Sequence, residues 1–217
     1  MKEAGQYRDR QEMVSRQILG RRIKEAAVVN ALLGVPRHLF VPDSERGNAY
    51  SDSPLPIGLG QTISQPYIVA LMTESLALVP GQKVLEVGTG SGYQAAILAC
   101  LGAQVYSIER HASLAREAES RLFSLGYKVK IKIGDGSKGW KQQAPFDRII
   151  VTAAMPALPQ GLLNQLAPGG RLVAPLESAE GGQELVLIEK VGQNKIRKEN
   201  LCECVFVPLV GKYGYKE

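Results

Sequence analysis

The run Lys83-Val-Leu-Glu-Val-Gly-Thr-Gly-Ser-Gly-Tyr-Gln94 restricts the fold more than any other part of the chain. Its apolar residues Val84, Leu85 and Val87 read as a buried strand that runs into three alternating glycines, Gly88, Gly90 and Gly92. The following Ala95-Ala-Ile-Leu-Ala-Cys-Leu101 has helical periodicity. A strand that opens a helix through a glycine-rich turn is how an α/β sheet makes a nucleotide site. Missing side chains admit the ligand to the backbone, and the helix N-terminus presents unpaired N–H groups. A second apolar stretch, Val105-Tyr-Ser-Ile108, ends in Glu109, about twenty residues past Gly88, where a carboxylate can accept hydrogen bonds from both ribose hydroxyls. A glycine turn alone is ordinary loop punctuation. Strand, glycines, helix, strand and acid in series point to a nucleoside ligand.

The rest of the chain fits that frame. Strands are expected over 83–88, 104–109, 129–133, 147–152 and 171–175, with helices over 92–101, 112–125 and 159–166. This alternation predicts an α/β fold with a doubly wound, mostly parallel sheet. Glu184-Leu-Val-Leu-Ile-Glu189 and Cys202-Glu-Cys-Val-Phe-Val207 read as a C-terminal antiparallel hairpin around a turn at Gly192-Gln-Asn194. Residues 8–34 read as two added N-terminal helices broken near Gly20, and Pro66 to Val79 as a helix stopped by Pro80-Gly81. Between them, 37–64 is rich in Pro, Gly and Ser, and a loop of that length in a compact domain is usually functional. The 217 residues suit one domain: helices and long loop over 1–79, cofactor-binding core over 80–176, terminal strands over 177–217.

Composition removes several alternatives. A net charge of +5 and a pI near 9.1 invite a nucleic-acid partner. However, Lys128, Lys130 and Lys132 alternate with Val129, Ile131 and Ile133, as in a strand with one wet face. The Arg16–Lys24 cluster lies on an amphipathic helix with Val14, Ile18 and Leu19 inward. Solvated faces explain the excess, and no nucleic acid is expected. No apolar run reaches the roughly eighteen residues a membrane span requires, and the first ten residues hold no signal-peptide core. The expectation is a cytoplasmic monomer without a membrane partner. Cys100, Cys202 and Cys204 form no disulfide or metal framework and read as buried or half-buried thiols.

Three nucleotide ligands compete for the turn. A P-loop needs Lys-Ser/Thr after its last glycine, but Gly92 is followed by Tyr93-Gln94. A dinucleotide site prefers G-x-G-x-x-G, and the short-chain reductase pair of a tyrosine with a lysine four residues on is absent. S-adenosylmethionine, without a pyrophosphate, fits better. The turn Gly88-Thr-Gly-Ser-Gly92 (with Thr89 and Ser91) would admit its methionine tail, with the Glu86 carboxylate close by. Glu109 suits the ribose. Asp135 at the tip of the third strand could accept the adenine amino hydrogen, and Gly136 lets the base approach.

For the acceptor, the fourth strand leads into Ala153-Ala-Met-Pro156 rather than the Asn/Asp-Pro-Pro-aromatic tetrad of amino-group methyltransferases. No cysteine follows a proline, as carbon-5 pyrimidine chemistry requires. A carboxylate acceptor needs less: with a pKa near ~4 it is already ionised at neutral pH and requires no general base. What it needs is a hydrogen-bond donor that aims an oxygen, and Gly60-Gln-Thr-Ile-Ser-Gln-Pro-Tyr67 supplies one.

Leu59-Gly-Gln-Thr-Ile-Ser-Gln-Pro-Tyr67 with Glu86-Val-Gly-Thr-Gly-Ser-Gly92 resembles the protein-L-isoaspartate O-methyltransferases. So do Val35-Pro-Arg-His-Leu-Phe-Val-Pro42, Gln165-Leu-Ala-Pro-Gly-Gly-Arg-Leu172 and Val205-Phe-Val-Pro-Leu209. The glycine motif is shared by most class I S-adenosylmethionine-dependent methyltransferases. The Thr62-Ile63-Ser64-x-Pro66 segment and the Phe206-Val-Pro-Leu209 ending are specific. The resemblance implies the class I fold and transfer of a methyl group to the free α-carboxylate of L-isoaspartyl residues in damaged proteins and peptides. Repair then proceeds through a succinimide. It implies Ser64 as the catalytic residue that orients that carboxylate. Thr62 and Ile63 would close over cofactor and peptide, and Tyr67, which stands where some members have histidine, would contact the cofactor. Gly88, Gly90, Gly92, Glu109, Asp135 and Gly136 would hold the cofactor, and Val207 the peptide, together with Thr62 and Ser64. Many members have aspartate where Glu109 stands.

Each residue also has a plainer reading. Ser64 before Pro66 is a good helix N-cap, worth ~1 kcal/mol; Thr62 suits a turn, Glu109 a charged strand end, and Val207 the core. Rival functions are a methyltransferase for RNA or a small molecule, and a non-catalytic S-adenosylmethionine-binding module.

Overall fold

The computed structural model describes residues 2–192 and 195–216. In chain order it contains α1 (Lys2–Met13), α2 (Ala26–Gly34), a small hairpin of β1 (Leu55–Gly58) and β2 (Gln61–Ile63), then α3 (Pro66–Ser75). There follow β3 (Lys83–Val87), α4 (Tyr93–Cys100), β4 (Gln104–Glu109), α5 (Ala112–Ser124), β5 (Val129–Ile133) and β6 (Phe146–Val151). The chain finishes with α6 (Gln160–Gln165), β7 (Leu166–Glu177), β8 (Gln183–Lys190) and β9 (Ile196–Cys204). Seven strands form one sheet in the order β5-β4-β3-β6-β7-β8-β9. β5, β4, β3, β6 and β7 are parallel, and β7, β8 and β9 pair antiparallel. This is the expected doubly wound sheet with a C-terminal hairpin. The predicted turn at Gly192-Gln-Asn194 falls partly on Gln193 and Asn194, outside the described residues.

Both faces of the sheet are covered. Along β3, Val84 packs into the core built with α2, α3 and α4, whereas Leu85 and Val87 pack into the core shared with α6 and the C-terminal segment. Alternation of side chains across a strand buried on both sides accounts for the continuous apolar run. Among the described residues no helix is long and apolar enough to cross a membrane.

Some expected boundaries move, each for a visible reason. α3 stops at Ser75 rather than Val79. Arg171 donates to the Ser75 carbonyl (3.1 Å), Arg148 to those of Leu76 (2.5 Å) and Ala77 (3.0 Å), and Ala77 turns to φ 45°. The carbonyls a helix leaves unpaired are thus taken by arginines of the sheet. The break near Gly20 is a continuous passage from α1 through a π-helical turn, Val14–Ile18, to a 3-10 turn, Leu19–Arg21, ending at Arg22 with φ 69°. β9 starts at Ile196 and ends at Cys204, three residues short of the expected end. Gln183 substitutes for the strand there: its Oε1 accepts from the Phe206 N–H (2.7 Å), and its Nε2 donates to the Phe206 carbonyl (3.2 Å). The chain is released from β8, and Val207 and Leu209 pair with Ala154 instead. Cys100 is exposed rather than buried, while Cys202 and Cys204 are half-buried.

Candidate active site

β3 is flanked by β4 on one side and β6 on the other, so the chain reverses its winding direction at β3. Open α/β sheets bind ligands at the carboxyl ends of the strands at such a switch point. An open cavity lies there, lined by Gly88, Thr89, Gly90, Ser91, Glu109 and Gly136, by Thr62 and Ile63 of β2 and by Ser64 directly after it.

The glycine turn is shaped by close approach. Gly88 has φ +99°, and a Cβ added to it would meet Thr152 Oγ1 at 2.3 Å. Thr152 directly follows the neighbouring strand β6, and its hydroxyl donates to the Gly88 carbonyl (2.7 Å) and lies 3.1 Å from that of Val87. A Cβ at Gly136 would meet Val87 Cγ1 at 2.5 Å. The Glu109 carboxylate, 5% exposed, accepts from Gly90 N–H and His111 N–H, both at 2.9 Å. Two backbone donors fix its orientation at the cavity wall, and its remaining lone pairs stay available to a ligand.

Below the turn lies a buried polar chain. Glu86 is fully buried and accepts a short hydrogen bond from the Ser107 hydroxyl, which lies 2.5 Å from Thr89 Oγ1. Burial pushes the Glu86 carboxyl up to about 8, with the Glu109 charge adding to it and the Ser107 hydrogen bond opposing it. Glu86 is therefore protonated at neutral pH and underlies the turn rather than lining the cavity.

A second cavity opens beside the first, lined by Pro54, Thr62, Ser64, Gln65, Ile68, Thr152 and Glu203 to Val207. The two share Thr62, Ser64, Thr152 and Val207. None of these four carries a carboxylate or an imidazole. Ser64 is not the N-cap of α3: that position is Gln65, and no side chain caps the helix. The Cys204 thiol at the outer wall is pushed up to about 12 by burial, with Cys202 and Glu184 adding to the effect, so it stays a neutral thiol.

Of the residues singled out from sequence, Thr62, Ile63, Ser64, Gly88, Thr89, Gly90, Ser91, Glu109, Gly136 and Val207 line the cavities. Four others do not. Gly92 turns α4 into place at φ +87°, against Ala118 and Leu122, and Glu86 lies beneath. The Tyr67 ring lies under the Arg21 guanidinium, 4.9 Å from its centroid. Asp135 faces the C-terminal segment: its carboxylate accepts from Ser137 Oγ (2.6 Å), Ser137 N–H (3.0 Å) and Lys212 N–H (2.9 Å). Thr152 was missed. Its signal was available, since it directly follows the strand that pairs with the glycine-turn strand, but the sheet order had to be known for it to count.

Fold and cavities together define the doubly wound class that takes a nucleoside-bearing ligand at the switch point of the sheet. Residues 8–214 match the family described as Protein-L-isoaspartate(D-aspartate) O-methyltransferase (PCMT), and the chain belongs to that family. It is 54% identical over 207 residues to the Protein-L-isoaspartate O-methyltransferase of Geobacter metallireducens, covering 95% of both chains. It is 52% identical over 205 residues to that of Methylorubrum extorquens, covering 94% of this chain and 90% of the other. Among solved structures, a protein-L-isoaspartate O-methyltransferase superposes with a TM-score of 0.86 at 28% identity, over 94% of this chain and 67% of the other. A Plasmodium falciparum protein of that name, in complex with S-adenosyl-L-homocysteine, superposes at 0.80 and 28% identity, over 92% and 97%.

Proposed function

We propose that this chain transfers a methyl group from S-adenosylmethionine to the free α-carboxylate of L-isoaspartyl residues in damaged proteins and peptides. The methyl ester carries a better leaving group than the ionised acid. The following backbone nitrogen attacks the ester carbonyl, methanol leaves with the amide proton, and the succinimide that forms hydrolyses in part to normal aspartate.

The observation that carries the reading is the wall shared by the two cavities. Thr62, Ser64, Thr152 and Val207 offer hydroxyls and apolar surface there, and the two carboxylates that line the cavities, Glu109 in the first and Glu203 in the second, are not part of that shared wall. An amine or alcohol acceptor would have to lose a proton at this wall. A carboxylate arrives ionised and needs only to be aimed.

S-adenosylmethionine, when bound, supplies an electrophilic methyl group on a sulfonium. In this reading Glu109 holds the ribose, the turn Gly88–Ser91 admits the methionine part, and Gly136 leaves room for the base. Thr62 and Ile63 close the cavity and exclude water. The Ser64 hydroxyl donates to the acceptor carboxylate and fixes which oxygen faces the methyl group, an effect of orientation rather than proton transfer. Val207, delivered by the pairing with Ala154, forms the apolar side of the acceptor channel. The family supports isoaspartyl proteins as the substrate. A monomer acting in the cytoplasm is part of the same proposal.

The test is transfer of radiolabelled methyl to an isoaspartyl peptide beside its aspartyl twin. Base-labile label on the first alone is expected. Equal label on both peptides, or label on RNA, overturns the proposal.

A further inference from the structure

The N-terminal segment does more than cover the sheet, because one of its side chains is tied through Asp52 to a residue that lines the acceptor cavity. Arg21, at the end of the 3-10 turn Leu19–Arg21, forms a two-pronged ion pair with Asp52: Nη1 donates to Oδ1 at 3.4 Å, and Nη2 makes a shorter contact with Oδ2. Asp52 in turn holds Gln65, whose Nε2 donates to the Asp52 carboxylate (2.8 Å) and to its carbonyl (3.1 Å). Gln65 follows Ser64 directly, and both line the acceptor cavity, as does Pro54, two residues beyond Asp52. The same guanidinium lies over the Tyr67 ring, so Arg21 is linked to the Ser64–Tyr67 segment both directly and through Asp52 and Gln65. Gln17 Nε2 adds a hydrogen bond to the Tyr50 carbonyl (2.8 Å), and Glu74 accepts from the Lys24 and Glu25 N–H groups (2.7 and 2.8 Å). The N-terminal segment is thereby fixed to the loop and to α3.

We infer that Arg21 and Asp52 are positioning residues: through Gln65 and Tyr67 they set the place of the Ser64 hydroxyl and the width of the acceptor rim. The inference rests on the proposed isoaspartyl activity. Neither residue lines either cavity, so neither is catalytic. The pair is partly solvated, with side chains 42% and 32% exposed, and such pairs contribute little to global stability. Its effect is expected on the acceptor alone, since the contacts converge on the acceptor rim and none touches the glycine turn.

The experiment compares the full-length protein with Arg21→Met, Asp52→Asn and the double variant. It measures KM and kcat for an isoaspartyl peptide, Kd for S-adenosylhomocysteine, Tm, and hydrogen exchange over residues 51–67. A misplaced orienting group costs about tenfold or more. The expected result is a KM for peptide raised about tenfold in each single variant, with Kd and Tm unchanged. Exchange should be faster over 51–54 and 64–67, and the double variant no worse than either single because both break one device. Arg21→Lys, which keeps charge but not the fork, should recover part of the loss. An unchanged KM, additive losses, or KM and Kd worsening together with a fall in Tm would each overturn the inference. If the unaltered protein leaves the isoaspartyl peptide unmethylated, the proposed function fails, while exchange over 51–67 still decides whether the clamp exists.

Discussion

Thr152 Oγ1 lies 2.7 Å from the Gly88 carbonyl oxygen and occupies the space a Gly88 side chain would need. The turn is thus held by the adjacent strand and has no room for a methyl group. Gly88→Ala combines a left-handed φ with a clash at 2.3 Å. We expect it to cost about 1–3 kcal/mol from strain and to abolish measurable S-adenosylhomocysteine binding, as read by calorimetry. Wild-type affinity in that variant would contradict the close-approach account.

Ser64 lies one residue before the α3 N-cap, and its hydroxyl takes no part in capping. Ser64→Ala should therefore leave Tm nearly unchanged. Losing a hydrogen bond to a charged group costs about 1.5–3 kcal/mol, so kcat/KM for an isoaspartyl peptide should fall about 10- to 100-fold. A drop in Tm with intact kcat/KM would restore the capping role and remove the catalytic one.

Glu109 is held by Gly90 and His111 N–H groups, with its carboxylate at the cavity wall. Glu109→Ala removes the proposed ribose acceptor and frees the turn. Cofactor affinity should weaken by about tenfold or more by the same hydrogen-bond estimate. Equilibrium dialysis with labelled cofactor would measure it, and unchanged binding would exclude the ribose role.

Glu86 is a buried acid raised to about 8, chiefly by burial. The folded state then holds a proton that the unfolded chain releases near its ordinary value of ~4.3. Between those values the folded state binds more protons, so stability from this group is full at low pH and is lost as pH rises to about 8. Glu86→Gln keeps the shape and an acceptor for Ser107 while removing the titration. The Tm difference, variant minus wild type, should grow in the variant's favour from pH 5 to pH 9. A difference independent of pH would show that Glu86 is ionised in the folded protein.

Burial works against the Asp135 carboxylate, but hydrogen bonds from Ser137, Lys212 and Lys138 outweigh it and hold the group below its ordinary range. The charge then stabilises the fold above the unfolded value, and that contribution is lost as pH falls. Asp135→Asn should lower stability by about 1–3 kcal/mol through the lost charged hydrogen bonds. Faster hydrogen exchange should appear at Lys212 and Tyr213, with little change in cofactor affinity when the protein is saturably folded. A large affinity loss without the exchange change would favour an adenine contact.

Much was legible in the chain because local patterns carried it. Alternating β3, β4 and β6 with the helical runs predicts a doubly wound sheet, and the glycines with Glu109 place a nucleoside ligand. The C-terminal strand was less legible. Val205-Phe-Val207 has strand composition, yet Val205 is 93% exposed, because the Gln183 side chain pairs with Phe206 and diverts the backbone. Asp135 reads as a ligand contact from its position at a strand tip, whereas its hydrogen bond from the Lys212 N–H, 77 positions later, has no signal in the local sequence.

The sequence by itself determined the order of elements, the glycine turn and the acid that follows it, because these depend on spacing along one stretch of chain. Only the tertiary structure decided that Thr152 shapes the turn, that Ser64 lies on the wall shared by the two cavities instead of capping α3, and that Arg21 is linked to the acceptor rim through Asp52 and Gln65. Each of those facts joins segments far apart in sequence. Their distances are set by packing on the two faces of the sheet, which no local pattern records.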